Sequence, residues 1–118
     1  MRISRGLLTV AVIALCVGGG ERASAASRAA LEAFRYDFSD CIAARVLYRV
    51  SIGSGAEEAA DEALADCRES LEALRQFVKE QGLGQRYDSA YFDKLVRGTR
   101  QAAADYAREH DVRNRDFQ

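Results

Sequence analysis

YDFSDCIAARVLYRVSIGSGAEEAADEALADC, residues 36–67, decides how this chain folds. Cys41 and Cys67 lie thirteen residues on either side of Ser54, the middle of the tripeptide Gly53-Ser54-Gly55. Both flanks are rich in alanine, leucine, glutamate and arginine, contain no proline and show no polar–apolar alternation, so each predicts a helix. If the chain reverses at the glycines, the two helices run antiparallel and the cysteines come level. In an oxidising compartment such a pair closes as a disulfide. Closing a loop of roughly 27 residues is worth about 3.5 kcal/mol in the chain-entropy estimate. That is comparable with the whole margin of many small domains.

Residues 1–25 point to such a compartment. Arg2 and Arg5 precede an apolar run from Leu7 to Val17, followed by Gly18-Gly19-Gly20 and then Ala23-Ser24-Ala25. Charged, apolar and small-residue segments in that order are expected of a secretory signal cleaved near Ala25. The apolar run has eleven residues, against the roughly 20 that span a bilayer. Stable membrane insertion after cleavage is therefore not expected. Cys16 follows Leu15, where lipid attachment asks for a small residue, so Cys16 is read as lost with the leader. The domain plan is a signal at 1–25, a helical domain at 26–110 and a flexible tail at 111–118, with a periplasmic or secreted destination. Removing Arg2, Arg5, Arg22 and Glu21 leaves 14 basic and 17 acidic side chains, a formal charge of −3. A mildly acidic chain with interspersed signs gives no footing for nucleic acid.

The fold class expected is all-α, a small antiparallel three-helix bundle with one inter-helix disulfide. The first helix, Ser27 to Ile52, is apolar on two sides. Phe34, Phe38, Cys41, Ile42, Tyr48 and Ile52 gather on one, and Tyr36, Ala43, Val46, Leu47 and Val50 roughly opposite. Such a helix is usually central. The second helix shows one stripe, Ala60, Leu64, Cys67, Leu71, Leu74 and Val78. Ser54 and Glu57 have capping-box spacing, Glu57, Glu58, Asp61 and Glu62 match the dipole at its start, and Gly82 or Gly84 ends it. The third, Ser89 to His110, carries Phe92, Leu95, Val96, Ala102, Ala103 and Tyr106 on one face, with Asp88 placed as its cap.

Catalytic patterns are missing from the sequence. A redox-active cysteine pair normally sits as Cys-x-x-Cys near a helix start, whereas Cys41 and Cys67 fall in mid-helix on apolar stripes. His110 is the single histidine, so zinc and a serine–histidine pair are both poorly supplied. The acidic groups Asp37 with Asp40, and Glu57 to Glu62, read as solvated helix faces rather than a calcium site or an acid–base pair. No cofactor is expected. The surface candidates are a partner-binding patch around Tyr36, Leu47 and Val50, and Arg45 with Arg49, two arginines on the cysteine side of the first helix that are placed to snorkel past it or to hold an anionic partner.

The stretch from Tyr36-Asp37-Phe38-Ser39-Asp40-Cys41 to Ala63-Leu64-Ala65-Asp66-Cys67 resembles the helical hairpin of small uncharacterised secreted proteins of proteobacteria. More remotely, it is similar to the all-helical periplasmic immunity proteins that neutralise type VI amidase effectors, where a cysteine follows an aromatic-rich first helix. Here the second cysteine falls earlier than in that family. The resemblance implies an exported protein that acts by binding. The expectation is thus a non-enzymatic factor (inhibitor, immunity or chaperone-like) whose partner is another protein, the alternative being a small-ligand or thiol-redox module.

Overall fold

The computed structural model describes the backbone from Gly19 to Asp116 and the side chains from Ala25 to Asp111. The leader's charged and apolar parts, Cys16 and the last two residues lie outside the described residues. The chain divides into two units, Met1–Ala30 and Leu31–Gln118. In the first, the described residues form the opening turns of a helix, and everything that follows concerns the second.

Four helices make up the described chain: α1 Gly19–Ser51, α2 Ala56–Asp66, α3 Arg68–Glu80 and α4 Ser89–Asp116. All are α-helical and no strand occurs among the described residues, as the composition predicts. Three helices were expected, and the difference lies at Cys67. The expected second helix leaves helical geometry there (φ −100°, ψ 17°), although its N–H still donates to the Ala63 carbonyl at 2.9 Å and its carbonyl accepts from Leu71 at 3.3 Å. Few hydrogen bonds are lost at this bend, and the bend lets the two halves serve different cores. Ala59, Ala60, Ala63 and Cys67 pack with Phe38, Ile42 and Val46 of α1 and with Ala103, Ala104 and Ala107 of α4. Leu74 and Val78 pack instead with Leu31 and Phe92, flanked by Phe34, Phe77 and Tyr91.

Helix ends follow local chemistry. At the close of α1 the Gly53 N–H donates to Val50 and the Ser54 N–H to Arg49. At the close of α3 the Gly82 N–H donates to Lys79 and the Leu83 N–H to Val78. Both are paired bonds around a left-handed residue, and both use glycine, with φ of 101° at Gly53 and 67° at Gly82. Asp88 caps α4 as expected, its carboxylate accepting the Tyr91 N–H at 3.0 Å. The Ser54–Glu57 capping box does not form: Gly55 is the N-cap of α2 and no side chain caps it. Ser54 donates to Glu62 instead, at 2.6 Å. Two helices outrun their expected limits. α1 begins at Gly19 rather than Ser27 and α4 continues to Asp116 rather than ending at His110. Neither extra stretch holds a proline, and 111–116 has no glycine, so the backbone meets no helix-breaking residue where the apolar periodicity of the sequence stops. His110 consequently lies inside α4, edge-on to Tyr106 at 4.5 Å, not at a helix C-terminus.

The faces of α1 differ from the two-sided expectation. Val46, assigned to the outer side, is fully buried, and Val50 is half-buried against the core. Tyr48 and Ile52, assigned to the cysteine side, are exposed. Alanine faces of α2 and α4 both lie against α1, so its buried sector is wider than one stripe and takes in Phe38, Ile42 and Val46 together.

Candidate functional site

Cys41 and Cys67 are joined, with their Cα atoms 5.9 Å apart. Cys67 is buried at 1 % exposure and Cys41 is half-buried. The bond ties mid-α1 to the bend between α2 and α3, as the hairpin reading requires.

An ionic cluster continues from that covalent tie along the same edge. Asp66 precedes Cys67, and Arg45 follows Cys41 by one helical turn, so pairing the cysteines brings these charges together. Arg49 grips Asp66 through two bonds, Nε to Oδ2 at 3.0 Å and Nη2 to Oδ1 at 2.8 Å. Its remaining Nη1 reaches Glu62 Oε2 at 3.1 Å, and Arg45 Nε adds a third bond to Asp66 at 3.0 Å. As residue numbers rise along α1 they fall along α2, the register of an antiparallel pair. Glu62 in turn accepts the Ser54 hydroxyl, linking the cluster to the turn. These charge-assisted bonds hold the Asp66 carboxyl down at about 2 from its ordinary 3.8, chiefly through Arg49 and then Arg45. The same Asp66 contact raises the Arg49 guanidinium above its ordinary value.

Tyr48 completes the cluster. Its ring lies under the Arg45 guanidinium at 4.6 Å and within 5.8 Å of that of Arg49. Arg45 and Arg49 are thus engaged by their own chain, and their visible work is to join helices and to hold an exposed aromatic ring. Of the sequence candidates, Tyr36 and Leu47 stand outward on α1, with Tyr36 at 67 % exposure, whereas Val50 leans into the core. Asp66, Glu62 and Tyr48 were missed by sequence reasoning. The available signal was adjacency: once Cys41 and Cys67 are paired, Asp66 must fall near Arg45.

A second ionic set joins α2 to α4. Arg100 meets Asp61 at 2.6 Å and Glu57 at 3.1 Å, and Arg108 meets Glu57 at 2.8 Å. The acidic start of α2 is therefore more than dipole matching. Its acids hold α4, and hydrogen bonds from Arg108 to Glu57 and from Arg100 to Asp61 hold both carboxyls below their ordinary values, favouring the charged form. Among the described residues no group of three or more metal-ligating side chains comes together, and no helix is long and apolar enough to cross a membrane. No family model, curated protein or solved structure matches the chain.

Proposed function

We propose that this is a small exported protein that acts without catalysis, binding another protein as an inhibitor, immunity or chaperone-like factor through the outer face of α1. One observation carries the reading: among the described residues the exposed large apolar side chains are Tyr36, Leu47 and Tyr48 on α1 and Ile52 in the turn that directly follows it. Tyr36 and Leu47 are eleven residues apart, close to three full turns, and so stand on one line of the helix. Tyr48 is held in place by guanidinium contacts, which lowers the ordering cost of docking on it. Aromatic and aliphatic anchors on a rigid element are the usual centre of a protein–protein contact. Export rests on the N-terminal pattern together with a disulfide of the kind that persists outside the cytosol. The thiol-exchange alternative gains no support from Cys67, which is closed to solvent.

Site-specific photo-crosslinking in cells tests the reading. Probes at Tyr36 and Leu47 are expected to trap one discrete protein in stoichiometric yield, a probe at Glu69 on α3 is expected to trap none, and Tyr36→Ser with Leu47→Ser should abolish the adduct made from a probe at Tyr48. No adduct from α1, or equal labelling from both faces, overturns the reading.

A further inference from the structure

Between the anchors of the outer α1 face stand charges that the fold itself does not use. At about 100° per residue Tyr36, Asp40 and Leu47 fall on nearly one line, with Asp37, Ala44 and Tyr48 beside it, all within about a third of the helix circumference. All six are exposed. Along the axis Asp40 lies about 6 Å from Tyr36 and about 10 Å from Leu47, so a carboxylate interrupts the apolar line. Neither Asp37 nor Asp40 has an ion-pair partner among the described residues, and like charges three residues apart on a helix repel. The acids of α2 that face α1 or α4 meet arginines there, Glu62 with Arg49 and Asp61 with Arg100. No cation of α1 does the same for Asp37 and Asp40. Arg35 is bonded to Glu32 at 2.8 Å, and Arg45 and Arg49 are bonded to Asp66. By the same helical angle all three arginines fall outside the arc.

This arrangement fixes the sign of what docks. Tyr36 and Leu47 cannot both be covered by one partner without taking Asp40, which lies between them, out of water. A carboxylate desolvated without a cation opposite is costly, and a cation there removes the cost and speeds encounter. We infer that the partner of the outer α1 face is a cationic protein surface, with a lysine or arginine seated between two apolar pockets about 16 Å apart: the cation meets Asp40, with Asp37 beside it, while Tyr36 and Leu47 enter the pockets. The inference rests on the reading of this face as the docking face and adds the chemistry of its partner.

The photo-crosslink from Leu47, read in extract of the producing cells, tests it. Asp37→Asn with Asp40→Asn is expected to lower the adduct yield about tenfold, Asp40→Arg at least as much, and Glu69→Gln with Glu72→Gln, which removes the same charge from α3, to leave it unchanged. Salt added to about 0.5 M should lower the wild-type yield and barely change that of the double asparagine variant. Both aspartates are exposed and unpaired, so circular dichroism should show the asparagine variant melting at or slightly above the wild-type temperature. An adduct that ignores both carboxylates, or that falls equally with the α3 control, overturns the inference while leaving the docking face in place. An adduct strengthened by Asp40→Arg assigns an anionic partner and overturns it too. No adduct from the wild type overturns this inference and the reading beneath it together.

Discussion

Arg49 shows what a single side chain contributes here. Its planar fork satisfies both oxygens of Asp66 and still reaches Glu62, a geometry that lysine, a point charge with rotating donors, does not reproduce. Arg49→Lys is therefore expected to lower the melting temperature although it keeps the charge. The acid at the centre of the fork sets a pH dependence. Asp66 sits at about 2 in the fold against an ordinary 3.8. It contributes stability that is complete above the ordinary value and is lost as pH falls from there towards the folded one. Glu57, Asp61 and Asp105 are lowered too and share that acid limb. Thermal melts followed by circular dichroism should show Asp66→Asn melting below the wild type at neutral pH, with the two curves converging as the solution is acidified towards pH 2. Curves that stay parallel would show that Asp66 does not titrate in this way. The neighbouring covalent tie is separable from the ionic one. Cys41→Ala with Cys67→Ala should lower unfolding free energy by about 3 kcal/mol in urea titrations while leaving the helical spectrum unchanged, because the bridge acts mainly on the unfolded chain.

Among the elements, what was legible in the sequence was what is specified locally. Gly53 and Gly82 end their helices because a left-handed residue is needed there, and Asp88 begins α4 because its carboxylate meets an N–H that the helix leaves free. Gly82→Ala should cost about 1 kcal/mol for forcing a side chain into that region, and Asp88→Ala about the same for the lost cap, both read from urea midpoints at unchanged slope. The disulfide was legible for a related reason, since symmetry of spacing about a turn is a property of the chain alone. What was not legible depends on neighbours. Ser54 has the spacing of a capping box with Glu57, yet Arg49 fixes Glu62 within reach of the hydroxyl and that acceptor wins. No glycine or proline marks the bend at Cys67, because the bend follows from two cores lying on different sides of the chain. The exposure of Tyr48 and the burial of Val46 follow from how far the alanine faces wrap around α1, which the period of one helix does not encode. The outward line of Tyr36 and Leu47 was legible, and the cluster that holds Tyr48 was not.

Across the whole helical unit, large side chains from one helix meet small ones from two others. Phe38, Ile42 and Val46 of α1 enter a space bounded by Ala59, Ala60 and Ala63 of α2 and Ala103, Ala104 and Ala107 of α4. Alanine-lined helices approach closely, and the long arginines bridge over the top: Arg100 to Asp61 and Glu57, Arg108 to Glu57. These bridges are exposed enough that salt and solvent dilute them, so burial and not charge should set the stability of the fold. Two substitutions test that ranking from opposite directions. Phe38→Ala removes the largest fully buried side chain and should cost about 3–5 kcal/mol through lost burial and the cavity left behind. Ala63→Leu is nearly neutral in helix propensity, yet Ala63 is wholly buried at the centre of the contact, and the added methylenes should cost about 1–3 kcal/mol by pushing α2 from α1. The same alanine-to-leucine change at Ala33, exposed on α1, should stay within about 0.5 kcal/mol of wild type. Urea titration of the three variants reads all of this directly. If Ala63→Leu unfolds at the wild-type midpoint, the α1–α2 contact is not tightly packed, and the cross-helix ion pairs must carry a larger share of the stability than solvent screening allows them here.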